Sequence, residues 1–437
     1  MIDRRTFVAA GAAAGGTLLA RRADAEPSGA GQFPQGFIWG AATAGHQIEG
    51  NNVNSDVWLL EQVKPTVFSE PSADADNSFE LWPVDLALAS SLGLNAYRFS
   101  LEWARIEPEE GQFSIAMLDH YQRIIEGCRA RGLRPMVTYN HYTAPLWFSK
   151  RGGWLAPDAP HLFARFCDRA TQHFGDLISH AMTLNEPNIM PILRYVLPAP
   201  VLDLQRAMLS AAATTLGVKK FTAANAANAE DVDAMTVNLV AGHKQARAAI
   251  KARRGELPVG FTLSMFDDAP VGDPSSRDRA RHELYSPWLE TARDDDFMGV
   301  QNYERVLWGP QGRQPPRSDA VRNSMGGEVY APSLANAVRY AHSQTKRPII
   351  VTEHGVSTHD DAIRARLIPA ALGELRKAIG DGVPISGYVH WSLVDNFEWI
   401  SGYTQQLGLV AVDRATFKRT PKPSAAIYAA IVKRNAL

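Results

Sequence analysis

The chain has 437 residues, 45% of them hydrophobic and 21% charged. That composition suits one large buried core or two ordinary ones and excludes a disordered or fibrous protein. Its 45 basic and 46 acidic residues leave a formal net charge of −1, so no long-range field draws it to nucleic acid or an anionic membrane, and a small neutral ligand fits better.

The N-terminus reads MIDRRTFVAAGAAAGGTLLARRADAEPSG. Arg4-Arg5, a short Ala/Gly-rich apolar stretch and Ala23-Asp24-Ala25 follow in the order of charge, apolar core and small-residue cleavage site. The stretch is too short to span a bilayer. It resembles a twin-arginine export signal over residues 1–25, which implies passage across the membrane in folded form to a periplasmic or extracellular destination. Fold reasoning therefore starts at residue 26, and no later segment has the length and hydropathy of a membrane span.

Short apolar runs then alternate with longer amphipathic ones, the pattern of repeated strand-helix units. The strand candidates in chain order are 37–44, 95–100, 134–140, 180–186, 258–265, 296–303, 348–355 and 385–393. Between them, 117–133 and 362–382 are apolar at helical spacing and close on Gly132 and Gly382 as stop signals. Eight such units predict an α/β fold, a single (β/α)8 TIM barrel over 26–437. An open doubly wound sheet would need a Gly-rich phosphate loop after its first strand, and WGAATAGHQIEG is not one. The segment 309–327, rich in Pro, Gly and Arg, reads as a long loop after the sixth strand. Cys128 and Cys167 are the only cysteines; outside any CxxC pattern they read as buried thiols, with a disulfide between them left open by spacing.

A barrel gathers its strand C-termini around one pocket. Those ends carry Gln47, Arg98, His141, Asn185-Glu186, Asn302-Tyr303, Glu353, Trp391 and, just beyond, Glu398-Trp399. No His or Cys cluster accompanies them, so neither a metal nor another cofactor is expected. Two glutamates suit an acetal, which needs a proton on its leaving oxygen and a stabilised oxocarbenium-like carbon. Neutral hydrogen-bonding groups and indole faces suit sugar hydroxyls and the apolar face of a pyranose. Taken singly, Trp391 and Trp399 read as packing, His141 as a core histidine and Arg98 as a structural ion-pair member.

The motifs taken in order change that reading. FPQGFIWGAATAGHQIEG, RFSLEWARIEP, RGGWLAPD, TLNEPN, GGEVYAPSL, VTEHGV, WSLVDNFEW and GYTQQLGLVAVD together resemble glycoside hydrolase family 1, the retaining β-glucosidase-type barrels, over nearly the whole mature chain. The resemblance implies Glu186 as general acid/base and Glu353 as nucleophile. Gln47, His141, Asn185, Glu398 and Trp399 match residues that bind the hydroxyls of the non-reducing sugar, Trp391 its platform, and Arg98 and Tyr303 the groups that hold the nucleophile. It implies exo action on a small-molecule β-glycoside in a pocket. A transglycosidase sharing the covalent intermediate, a carbohydrate-binding protein with little turnover and a polysaccharide hydrolase are the rivals. Oligomeric state is left open.

Four expectations follow. Arg98 lowers the pKa of Glu353, whose charge raises that of Glu186. Anionic Glu398 repels a 6-phosphorylated sugar, leaving a neutral glucoside, galactoside or fucoside. Departures from the family pattern, His354 for Asn after the nucleophile, HYTAP for HWDLP and QLGL for RFGL, bear on the pH optimum and the aglycone. Trp147, Trp308 and the 309–327 loop line the aglycone site.

Overall fold

The computed structural model describes residues 31–437. The export-signal reading of residues 1–25 lies outside them. Eight parallel strands close into a barrel: β1 (Ile38–Ala42), β2 (Ala96–Ser100), β3 (Arg134–Asn140), β4 (His180–Asn185), β5 (Val259–Ser264), β6 (Met298–Asn302), β7 (Ile349–His354) and β8 (Ile385–Trp391), each paired with its neighbours and β8 with β1. Every strand falls within a run read from sequence, and the whole is one domain.

Long helices cover the outside, among them Ser78–Ser91, Ile115–Ala130, Ala159–Phe174, Val232–Arg253, Asp361–Gly380 and Pro423–Arg434. The helix ending at Ala130 and the one ending at Gly380 are each followed by a glycine in left-handed backbone, Gly132 at φ 73° and Gly382 at φ 90°, as a helix stop requires. Inside the barrel Ile38, Ala96, Met136, Met182, Ile350 and Val389 form a packed plug, so the barrel is a core and not a pore.

Register sets the height of the groups above that plug. Ala42 of β1 pairs with Trp391 on one side and Arg98 on the other, and Glu353 pairs with Gln301 across β7 and β6. Two small sheets sit outside the barrel. One joins 267–270, 305–309 and 312–314, the other 410–412 and 419–421. The first corrects the reading of 309–327 as a plain loop: Arg305–Gly309 turns back on Gly312–Gln314 as a hairpin, so loop begins only beyond Gln314. Cys128 and Cys167 are both buried free thiols.

Candidate active site

Glu353 is the penultimate residue of β7, 3% exposed. Arg98 from β2 donates from Nη1 to its Oε1 at 2.6 Å, and Tyr303 past β6 donates from its hydroxyl to Oε2 at 2.5 Å. Arg98 is itself fixed. Its Nε donates to Thr138 Oγ1 at 3.1 Å and its Nη2 to Asn185 Oδ1 at 2.6 Å. Both oxygens of Glu353 are thus held by donors, which pins the carboxyl in one orientation.

Glu186 follows β4 directly, its backbone N–H bonded to Thr262 O at 2.9 Å. Its φ of 41° is left-handed, a costly conformation for a residue with a Cβ and one that clusters at functional sites. Burial, then the neighbouring Glu353 charge, pushes its carboxyl up to about 7. Burial therefore outranks the charge expected to be its cause. The same holds for Glu353: burial raises it, and Arg98 and Tyr303 oppose that without cancelling it. The expected lowering by Arg98 is present as one contribution and is outweighed.

The sugar-binding candidates gather beside the two carboxyls. Gln47 Nε2 donates to Phe397 O at 2.8 Å, Asn396 Oδ1 at 3.2 Å and Glu398 Oε2 at 3.3 Å. Asn185 faces His141 Nε2 at 3.3 Å. Gln47 Oε1 and His141 Nδ1 are buried with no hydrogen-bond partner among the described residues, the state of groups that a ligand would satisfy. The rings stack in near-parallel planes: Trp391 on His141 at 5.6 Å and 13°, His141 on Trp399 at 6.1 Å and 10°, Trp399 on His46 at 5.8 Å and 2°. Burial and Arg98 keep His141 well below its usual value, hence neutral.

Glu398 corrects an expectation. Burial, and after it the neighbouring Glu353 and Glu186, push it up to about 8, so the anionic form expected of it is disfavoured near pH 7. Among the described residues, the groups acting on Glu398 are Glu353, Glu186 and Gln47. His354 is another correction. Burial lowers it to about 3 and it bonds Tyr388 Oη through Nδ1 at 2.9 Å, so it is a neutral strut and not a titrating neighbour of Glu353.

The aglycone expectation fails at both tryptophans. Trp147 Nε1 donates to Glu107 O at 2.8 Å and Trp308 Nε1 to Asp268 Oδ1 at 2.7 Å, both rings buried among aromatic neighbours. Strand-end position alone also misplaced Asn302, which bonds the backbone of Met265 at 2.8 Å and Ser333 at 2.9 Å. The residue before it, Gln301, points inward to Asn185 Oδ1 at 2.8 Å. Strand alternation is the signal that separates the two. Tyr142 was also missed as a site residue; its hydroxyl donates to Glu186 Oε2. Among the described residues no His, Cys, Asp and Glu group has the arrangement of a metal site.

The family model described as Glycosyl hydrolase family 1 matches residues 30–282 and 296–437. A β-glucosidase of Agrobacterium sp. is 30% identical over 451 residues, covering 92% of this chain and 95% of its own. Beta-glucosidase A of Thermotoga maritima is 29% identical, covering 93% and 99%. Among solved structures, the β-glycosidase BGL167 superposes with a TM-score of 0.86 at 44% identity, covering 93% of this chain and 98% of its own. The Thermotoga maritima β-glucosidase in complex with deoxynojirimycin gives 0.80 at 26%, covering 93% and 100%. With a family match over almost the whole described barrel and two glutamates at the ends of β4 and β7, the chain belongs to glycosyl hydrolase family 1.

Proposed function

We propose that the protein is a retaining, exo-acting β-glycosidase that cleaves a terminal neutral β-glycoside, a β-glucoside first of all, through a covalent glycosyl-enzyme intermediate. The observation that carries this reading is the unequal setting of two neighbouring buried carboxyls. Glu353 has a guanidinium and a phenol on its oxygens, whereas Glu186 has a phenol, no direct cation bond and a pKa near 7. One is suited to stay ionised, the other to carry a proton.

In the first step the Glu353 carboxylate attacks the anomeric carbon while Glu186 protonates the glycosidic oxygen, and the aglycone departs as an alcohol. The ester that forms has no charge. Glu186 then loses the repulsion from Glu353, its pKa falls, and it takes a proton from water as that water attacks the ester. The two carboxyls titrate as a pair. Gln47, His141, Asn185, Glu398 and Trp399 hold the sugar hydroxyls, with Trp391 beneath the ring. The names of the relatives support a glucoside. Hydrolysis, not transfer, is the reading favoured, and retention of both carboxyls stands against a binding protein without turnover.

Arg4-Arg5 and the apolar stretch after them support export in folded form; Arg4→Lys with Arg5→Lys should leave active enzyme inside the cell, and unchanged export would refute that part. The test of function is a panel of p-nitrophenyl glycosides. Wild type should release nitrophenol from the β-glucoside, more slowly from its 6-phosphate, and not from the α-glucoside. Glu353→Ala should lose about 10⁴-fold or more in kcat and, with azide, yield the α-glucosyl azide. A Glu353→Ala enzyme with near-parental turnover would sink the assignment.

A further inference from the structure

His141-Tyr142-Thr143 makes a tight turn directly after β3. Thr143 N bonds His141 O at 2.9 Å and Asn140 Nδ2 bonds Thr143 O at 2.8 Å. Between them Tyr142 sits at φ 71°, a left-handed backbone that a bulky residue adopts only when its surroundings impose it. The turn carries the phenol from the end of β3 across to the end of β4. The ring is 4% exposed and wedged edge-on against His141 at 5.0 Å and Trp399 at 5.2 Å, so its hydroxyl has one direction in which to point. That direction is Glu186 Oε2.

We propose that Tyr142 is a positioning residue for the acid/base carboxyl, its hydroxyl holding Oε2 of Glu186 so that the catalytic proton resides on Oε1 and the carboxylate form is steadied for the second step. This rests on the reading of Glu186 as acid/base. The phenol has one proton to give, and among the described residues Glu186 is its only hydrogen-bond partner. It therefore donates to Oε2. With the phenol donating to it, Oε2 acts as the acceptor, so the acid form of Glu186 carries its proton on the other oxygen. Burial and the Glu186 charge push the phenol well above its usual range, which keeps it a donor at every working pH.

The groups facing Glu186 from the surrounding elements are Glu353 on β7, Arg98 on β2, Ser264 on β5 and Tyr142; Glu398 faces the same space from beyond β8. Burial and Glu353 hold the proton on Glu186, and Tyr142, Ser264 and Arg98 loosen it. Deleting the phenol hydroxyl removes the first of the loosening groups, so the carboxyl should keep its proton to higher pH.

The test compares Tyr142→Phe with wild type, and Glu186→Ala with Glu186→Ala/Tyr142→Phe, all checked for folding by circular dichroism and thermal melting. Tyr142→Phe should move the alkaline limb of kcat/KM upward by about one pH unit. On a dinitrophenyl β-glucoside, where the second step limits the rate, it should lower kcat about tenfold. In the Glu186→Ala background the same substitution should leave the pH profile in place and change kcat by no more than about twofold. An unmoved limb, or an equal loss in both backgrounds, overturns the proposal, because a purely structural role would act without Glu186. Should Glu186→Ala instead keep full activity on a poor alkyl leaving group, it is the acid/base reading of Glu186 that falls.

Discussion

Glu186 links pH to stability through one proton. Its carboxyl stands at about 7 in the fold against an ordinary 4.5. Between those values the unfolded chain releases the proton while the folded chain keeps it, so rising pH favours unfolding across that window; below it this group costs nothing, and above it the loss is constant. Glu186→Gln cannot ionise and escapes the loss. It should be more stable than the parent at pH 8 by about 1–3 kcal/mol, with the difference vanishing below about pH 4.5, as measured by denaturant unfolding at several pH values. A stability gap independent of pH would show that the carboxyl is not carrying the shift. The pairing of Glu186 with Glu353 was legible because each ends a strand inside a recognisable motif. The Tyr142 contact was not, since two residues 44 positions apart meet only through a backbone turn that no periodicity announces. Burial, the leading cause of the shifts at Glu186, Glu353 and Glu398, is likewise invisible until the barrel closes.

At the scale of the elements, β7 and β8 approach closely at their C-terminal ends, and Gly355 is what allows it. A Cβ on Gly355 would lie 2.1 Å from Trp391 O, well inside contact distance with an atom that cannot swing away. The run RPIIVTEHGV thus ends in Glu353, the proposed nucleophile, and in Gly355 for the approach of the neighbouring strand. Gly355→Ala should force those ends apart, costing about 1–3 kcal/mol of stability and lowering kcat/KM on p-nitrophenyl β-glucoside by more than tenfold as Glu353 and Trp391 shift; parental kinetics would show that the ends yield without disturbing the site. All eight strands were readable because fully covered parallel strands are short unbroken apolar runs. The hairpin of 305–309 and 312–314 was not, because its Gly-Pro-Gln-Gly turn has the composition of a loop and its pairing is set by contact with 267–270. Trp308 lies in that small sheet, so its indole is structural. Trp308→Ala should cost about 3–5 kcal/mol while leaving the ratio of aryl to alkyl glucoside kcat/KM unchanged; a selective loss on aryl glucosides would return it to the aglycone site.

For the whole molecule, the beginning and end of the described chain are fastened to one another. Asn435, at φ 50° after the last helix, accepts from Trp39 Nε1 at 2.9 Å and donates to Phe33 O at 2.8 Å, and Phe33 N bonds Asn435 O at 2.9 Å. The clasp closes the cluster of Phe33, Phe37, Trp39 and Tyr428 over β1. Asn435→Ala loses these side-chain bonds, together with the one from Nδ2 to Pro34 O at 3.4 Å, and leaves a Cβ-bearing residue without the local compensation that Asn enjoys in left-handed backbone. It should lower global stability by about 2–4 kcal/mol in denaturant melts, with kcat on a β-glucoside within twofold of wild type at 25 °C. An unchanged midpoint would mean that the aromatic cluster holds without the clasp.

That clasp also fixes where anything joined after Leu437 would hang. Arg134, at the start of β3, bonds Gly36 O, and Asn95, just before β2, bonds Phe37 O, so the first described residues run beneath the barrel, under the strand starts. Leu437 N reaches Gly31 O at 3.4 Å, which places Leu437 at that underside, while Glu186 and Glu353 stand at the opposite, C-terminal ends of the strands. A surface tether, a purification handle or a partner domain fused after Leu437 would therefore leave the two glutamates facing away from it.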